Sequence, residues 1–219
     1  NKNNKIDTSN NLGFNLSINP TLGNTVEFWL KKESLVNTSK TEREVIFDLW
    51  NSASYANAHY ARFRVELDTS VSVSDSPFLV TYMSGTDGFS STSIGDSFTR
   101  TNLLAGWNHF AFSFISGSSS SEIKFYVNGD LDHTITTSDT LGEVINTGSA
   151  MFLGSLITAP EGGAFSGLSG DLMKGWAKLS GSVDEFRFWK KYRNSRDINR
   201  NWFSQVDGGS NEDDNLTSL

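Results

Sequence analysis

The stretch IKFYVNGDL, residues 123–131, decides the fold, because its apolar and polar residues alternate up to the turn Asn128-Gly129. Such alternation predicts a strand with one buried face, and Asn-Gly is the strongest short signal for a two-residue hairpin turn. Two more stretches, WNHFAFSFI at 107–115 and SVDEFRFWKK at 182–191, alternate aromatic with polar residues in the same way. Together these segments predict antiparallel sheets.

The composition predicts a folded, loop-rich protein. Of its 219 residues, 37% are hydrophobic and 12% aromatic, which is enough for a sizeable core. The net charge of −7 argues against binding to nucleic acid or anionic membranes, because both rely on Lys and Arg meeting phosphate. No apolar stretch approaches the roughly 20 residues of a membrane helix, so no membrane insertion is expected. The chain contains no cysteine, which excludes disulfides and thiolate metal sites.

The chain divides into an N-terminal extension over 1–11, a single all-β domain over 12–203 and a polar C-terminal linker over 204–219. Both ends are polar, NKNNKIDTSNN at the start and GGSNEDDNLTSL at the finish. We interpret the chain as a piece excised or processed from a longer polypeptide. One short C-terminal helix is predicted over 196–203, with Ser195 as its cap.

Four stretches in a fixed order resemble the laminin-G-like branch of the concanavalin A-like jelly rolls, which includes pentraxin-like domains. They are TVEFWLKKES, WNHFAFSF, IKFYVNGDL and GSVDEFRFWKKYRNSRDI. In that family an F-x-W strand precedes W-x-H-x-A/C, a Y-V-N-G hairpin, and a last core strand G-x-x-D-E/D-x-R-x-W/Y. The resemblance covers 14–203 and implies an all-β sandwich of two antiparallel sheets with about a dozen strands or more.

The departures from that family bear on function. Ala111 stands where pentraxins place a cysteine, and the metal-binding loop of legume lectins has no counterpart. The Glu-x-Asp-x-Glu strand of the glucanases is also missing, so a non-catalytic, lectin-like adhesion module is expected and a glycosidase is the less favoured alternative. The run NWFSQVDGGSN at 201–211 is similar to the exit from laminin-G-like domains of tailed-phage structural proteins, which implies a virion surface or extracellular location.

Asp184 is the candidate metal ligand. It shares strand parity with Phe186 and Phe188, so its carboxylate is expected to point inward. A buried carboxylate needs hydrogen-bond donors or a cation. The family resemblance implies either backbone amides or a structural calcium ion at this place, and both alternatives stay open. Calcium is the only cofactor that the sequence suggests.

Three pairs of carboxylates at i and i+2 could serve acid–base catalysis. Each pair is flanked by basic residues or a turn, so ordinary solvated positions are the favoured interpretation. The pairs are Glu42 with Glu44, Glu66 with Asp68, and Asp130 with Asp132.

The three histidines show no metal-ligand spacing.

Three long loops, 51–60, 84–100 and 159–181, form the predicted binding rim, because long loops in compact domains tend to carry function. Their aromatic rings could stack on a sugar beside polar side chains, or could instead hold their own loops in place. The expected partner is a glycan or, alternatively, a neighbouring virion subunit. The candidate rim residues are Tyr55, His59, Tyr60, Asp87, Phe89 and Trp176.

Overall fold

A computed structural model describes residues 16–35, 42–51, 53, 57–142, 150–158, 175–204 and 216–218. Within these ranges the chain forms eleven strands and two short helices. The helices are α1 (Arg100–Leu103) and α2 (Ser195–Asn201). The strands are β1 (Asn24–Lys31), β2 (Arg43–Trp50), β3 (Ala61–Asp68), β4 (Phe78–Ser84), β5 (Asp87–Ser93), β6 (Trp107–Ser116), β7 (Ser121–Val127), β8 (Asp130–Thr137), β9 (Ala150–Leu153), β10 (Ser182–Trp189) and β11 (Leu216–Ser218).

The strands form two antiparallel sheets, as the sequence predicted. One has six strands in the order β11-β10-β1-β6-β7-β8, and the other has five in the order β5-β4-β3-β2-β9. The first strand, β1, lies between β6 and β10, so strands from near the two ends of the described chain are neighbours in the sheet. The strand β11 lies inside the stretch predicted as a linker and pairs with β10.

An aromatic core joins the inner faces of the two sheets. Phe78 of the five-stranded sheet lies 4.7 Å, between ring centroids, from Phe110 and 5.1 Å from Phe125 of the six-stranded sheet. Nearby, Tyr82 stacks on Phe114 at 3.5 Å. Aromatic pairs of this kind contribute about 0.5–1.5 kcal/mol each beyond the burial of their area. The alternating aromatics of the sequence are therefore the scaffold of the sandwich.

The Asn128-Gly129 turn closes the hairpin of β7 and β8, as predicted. Both residues have positive φ angles, 51° and 90°, which the tight turn requires. The Asn128 side chain accepts a hydrogen bond from the His109 amide at 2.9 Å. Trp202 packs on Gly129 so closely that a Cβ there would lie 2.3 Å from the Trp202 ring. The turn thus ties β6 to the segment after α2.

The helix α2 begins one residue earlier than predicted, and Asn194 caps it in place of Ser195. The Asn194 side chain accepts from the amides of Arg196 and Asp197, and the Asp197 carboxylate accepts from the Asn194 amide in return. This reciprocal box satisfies amides that the helix leaves unpaired. Ile198 on α2 packs against Ala111 on the outer face of the six-stranded sheet. Neither helix in the described ranges is long and apolar enough to cross a membrane.

Candidate functional site

Two of the predicted rim aromatics are buried, which corrects the expectation that their rings lie on the rim. Tyr60 is 2% exposed and Phe89 is 4% exposed. The Phe89 side chain lies on the core face of β5 and packs edge-on against Phe114 of the facing sheet. Neither ring offers a face to a ligand, so both fit the alternative interpretation that they hold their own loops.

The other rim candidates are spread over the surface. His59 and Asp87 are both exposed. Their loops are in contact, since the Gly85 amide donates a hydrogen bond to the Tyr60 carbonyl. Trp176 is half-buried against a small apolar cluster on the outer face of the five-stranded sheet. Tyr55 and most of the third loop, 159–174, lie outside the described residues. The binding role of these residues stays a prediction.

The expectation that Asp184 points inward is wrong. The β1–β10 register pairs Glu27 with Arg187 but Trp29 with Asp184, so β10 carries one extra residue. Glu185 supplies that residue and has a φ of 50°. A bulge of this kind reverses the alternation of side chains. Phe186 and Phe188 therefore face the core, whereas Asp184 is exposed on the outer face.

The outer face of the six-stranded sheet carries a cleft of about 410 Å³ beside Asp184. The cleft combines three aromatic rings with charged side chains. Two of these rings are unusually open to solvent, since Trp107 is 46% exposed and Phe203 is 64% exposed. Among the residues that the structure describes, those that line the cleft are Trp29, Trp107, Asp184, Glu185, Arg187, Phe203 and Ser204.

Strand register and helix docking position the aromatic wall of the cleft. Trp29 lies opposite His109, two residues along β6 from Trp107. The Trp29 ring packs against the Trp202 ring at 5.5 Å, and Trp202 in turn contacts Phe203 at 5.6 Å with perpendicular rings. The short helix α2 thus positions Phe203 beside Trp29 and Trp107 in the cleft.

A buried ion cluster beneath the cleft holds that helix in place. The Glu27 side chain is fully buried and pairs with Arg193, while Arg187 Nη1 and His109 Nε2 both lie 3.7 Å from Glu27 Oε2. Arg193 also donates to the Asp197 carbonyl in α2 at 2.9 Å. A buried charge is tolerated only when it is paired in this way. The cluster therefore connects β1 and β10 to the segment that carries Phe203.

The charges that the cleft shows to solvent are mainly negative. Arg187 has a side chain only 4% exposed, which pairs with Glu185 at 3.2 Å and donates to the Ser204 carbonyl. The Asp184 carboxylate is exposed and accepts a hydrogen bond from the Glu185 amide at 2.8 Å. Its remaining lone pairs are available to a ligand that donates hydrogen bonds.

One member of each predicted carboxylate pair has a structural partner, and the expectation of a solvated position is wrong for Glu44 and Glu66. Glu44 is buried between Lys32 Nζ at 2.6 Å and the Ser180 amide at 2.8 Å. Glu66 is buried and contacts Arg43 and Arg64, each at 3.0 Å. Asp132 accepts hydrogen bonds from the amides of residues 96–98. Glu42 is exposed.

No group of three or more His, Cys, Asp or Glu side chains suited to a metal ion occurs in the part of the chain that the structure describes. Asp184 accepts one hydrogen bond, from the adjacent Glu185 amide. Calcium binding by Asp184 stays a prediction.

The family follows from the sequence profile. Residues 2–199 match a laminin-G profile described as the concanavalin A-like lectin/glucanases superfamily. The chain therefore belongs to this superfamily, and its two-sheet sandwich has the jelly-roll architecture expected of it. The sequence matches none of the curated proteins with which it was compared.

Solved structures with a similar fold have low sequence identity to the chain. The Ruminococcus gnavus IT-sialidase CBM40 bound to α2,6 sialyllactose is 14% identical with a TM-score of 0.50, over 81% of this chain and 82% of that one. The heptameric SAP-like pentraxin of Limulus polyphemus is 13% identical with a TM-score of 0.44, over 84% and 70% of the chains. The leech intramolecular trans-sialidase is 11% identical with a TM-score of 0.41, and the match covers 87% of this chain but a quarter of that enzyme. These similarities concern the fold alone.

Proposed function

We propose that this lectin-like domain is a non-catalytic carbohydrate-binding or adhesion module and that the aromatic cleft is its binding site. The observation that carries the proposal is the pair of exposed rings, Trp107 and Phe203, on a cleft that also exposes the Asp184 carboxylate. A pyranose offers a CH face that stacks on such rings and hydroxyl groups that donate to carboxylate oxygens.

The family supports a glycan as the partner. The CBM40 domain that shares this fold was solved with sialyllactose, so a sandwich of this architecture can carry a glycan site. The size of the cleft, about 410 Å³, falls in the range of small-ligand sites. Fold alone does not assign a ligand, and the proposal therefore depends on the cleft itself.

A glycan array with matched variants tests the site. We expect Trp107→Ala and Phe203→Ala each to weaken binding by about 1–3 kcal/mol, as loss of an exposed stacking ring does. Val73→Ala is the control, because Val73 is 65% exposed and does not line the cleft. His59→Ala and Asp87→Ala examine the predicted rim, and we expect them to bind as wild type does.

Two results would refute this assignment. Wild-type protein that binds no glycan on the array would remove the carbohydrate function. Binding that survives in Trp107→Ala and Phe203→Ala but is lost in His59→Ala or Asp87→Ala would move the site to the rim. Thermal melting of each variant would show that the fold is intact.

The non-catalytic part of the proposal is supported by the occupation of the carboxylate pairs. Glu44 pairs with the buried Lys32, Glu66 pairs with the buried Arg64, and Asp132 holds a loop, so each has a structural partner. A glycosidase needs two carboxyl groups that face each other across the scissile bond. Release of reducing sugar from β-glucans, abolished by Glu66→Gln in a folded variant, would instead establish the glucanase-like alternative.

The second candidate function is a structural or protein-interaction domain on a virion. The exposed rings of Trp107 and Phe203 favour it as well, because exposed apolar patches also mark protein interfaces. In that case the rings would meet a neighbouring subunit, and the array would show no binding. Display on a virion or outside the cell suits either function, and detection of the chain in purified particles would test that location.

A further inference from the structure

We infer that the aromatic cleft selects uncharged sugars and rejects carboxylated ones such as sialic acids and uronic acids. This inference rests on the proposed function and adds the class of ligand to it. It follows from which charges of the cleft reach solvent and which are already paired inside the protein.

Among the described residues of the cleft lining the cation is Arg187, and it is unavailable to a ligand anion. Its guanidinium pairs with Glu185 at 3.2 Å, donates to the carbonyl oxygens of Ser204 and Asn201, and lies 3.7 Å from Glu27. A ligand carboxylate would have to displace these partners from a side chain that is 4% exposed. Moving Arg187 away from Glu27 would also be costly, because a buried carboxylate needs its counter-charges.

The carboxylates of the cleft are the accessible charges. Asp184 is exposed, and the Glu185 side chain is 28% exposed. An ionised carboxylate only accepts hydrogen bonds, so it suits the hydroxyl groups of a neutral sugar. A ligand carboxylate about 6 Å from Asp184 would be repelled enough to weaken binding roughly threefold in water, and more once the site is partly desolvated.

One partly exposed cation, Lys31, is adjacent to the lining residue Trp107 without lining the cleft itself, and a carboxylate lies beside it. Lys31 lies opposite Trp107 in the sheet, and its ammonium group is 3.8 Å from the Glu33 carboxylate. The whole chain also carries a net charge of −7, which adds to the repulsion of anionic glycans at low salt. Both observations point to the same ligand class.

Matched pairs of glycans test the selectivity. The probes are lactose against 3′- and 6′-sialyllactose, N-acetyllactosamine against its sialylated forms, and cello-oligosaccharides against oligogalacturonate. We expect wild-type protein to bind at least one neutral probe and to bind the carboxylated partner about tenfold more weakly, with a gap that narrows as salt is added.

Asp184→Asn is the diagnostic variant, because it removes one charge, keeps an oxygen acceptor for the Glu185 amide and leaves the Glu185–Arg187 pair in place. We expect the neutral-to-anionic gap to shrink about threefold in this variant. If the inference is correct, wild-type protein does not bind sialylated probes as tightly as neutral ones. Equal or tighter binding that is lost in Trp107→Ala would therefore refute the selectivity but support the carbohydrate site. Failure to bind any glycan would overturn both. A gap unchanged in a folded Asp184→Asn variant would also contradict the inference.

Discussion

Trp29 and Asp184 lie directly opposite each other on the outer face of the six-stranded sheet. They meet because the bulge at Glu185 moves Asp184 from the core face, which strand parity assigns to it, to the solvent face. An aromatic ring and an exposed carboxylate are thus placed side by side in the cleft. The same register keeps Phe186 and Phe188 in the core.

Gly129→Ala should destabilise the protein by about 3 kcal/mol, since it combines a positive φ with a clash against Trp202. Gly106→Ala is the matched control, because Gly106 has a φ of 146° but a Cβ added there would meet no atom within 4 Å. Strain alone should cost that control about 1 kcal/mol. Urea unfolding measures both, and equal losses would contradict a specific role for the Trp202 contact.

Glu27→Gln should cost about 3–5 kcal/mol of the free energy of unfolding, because it leaves Arg193 buried without its counter-charge and removes one of the two carboxylates near Arg187. The control is Glu33→Gln, which removes an 84% exposed carboxylate from a weak pair with Lys31. That change should cost less than about 0.5 kcal/mol. Denaturant titrations with similar midpoints for the two variants would refute the importance of the buried cluster.

Tyr82→Phe should make the protein less sensitive to alkali. Burial raises the pKa of the Tyr82 hydroxyl well above its usual value, and the hydroxyl donates to Asn24 Oδ1 at 2.6 Å. A folded-state pKa above the unfolded one gives stability that is complete below about pH 10 and is lost as the pH rises towards the folded value. At pH 8 the free energy of unfolding of the variant should be about 1 kcal/mol lower than that of wild type, because the hydrogen bond from Tyr82 to Asn24 is lost.

Melting curves at pH 8 and pH 11 check this expectation. Wild type should lose more stability than Tyr82→Phe between the two pH values. Burial also raises the pKa of Tyr126, which remains in both proteins and contributes equally to the two curves. The same alkaline loss in both would show that Tyr82 is not responsible.

If the backbone-amide alternative for Asp184 is correct, the melting temperature should be the same with calcium and with chelator, because the Glu185 amide then takes the place of an ion. An ion that binds only the folded state would raise the melting temperature in proportion to its occupancy. A chelator-sensitive midpoint that disappears in Asp184→Asn would establish the calcium alternative instead. Calorimetric titration of calcium into wild type provides an independent readout.

The sequence predicted those features that short segments control. The turn at Asn128-Gly129, the alternating aromatics of β6 and the final helix follow from local chemistry and lie where expected. The predicted helix cap lies one residue too far along the chain. Asn194 and Ser195 are both common cap residues, and only the reciprocal hydrogen bonds between Asn194 and Asp197 identify Asn194 as the cap. The sequence places Phe89 on the rim, because its contact with Phe114 of the facing sheet cannot be inferred from the local sequence.

The sequence by itself predicted antiparallel strands, since alternation and turn residues specify strands regardless of their distant partners. The superfamily came from the resemblance of four ordered stretches, and the profile match over residues 2–199 shows it. Only the tertiary structure decided where the cleft lies. Trp29, Trp107, Asp184 and Phe203 are far apart in the chain, and strand pairing and helix docking bring them together. One extra residue in β10 reverses the face of every side chain beyond it, and such a shift is visible only in the register with β1.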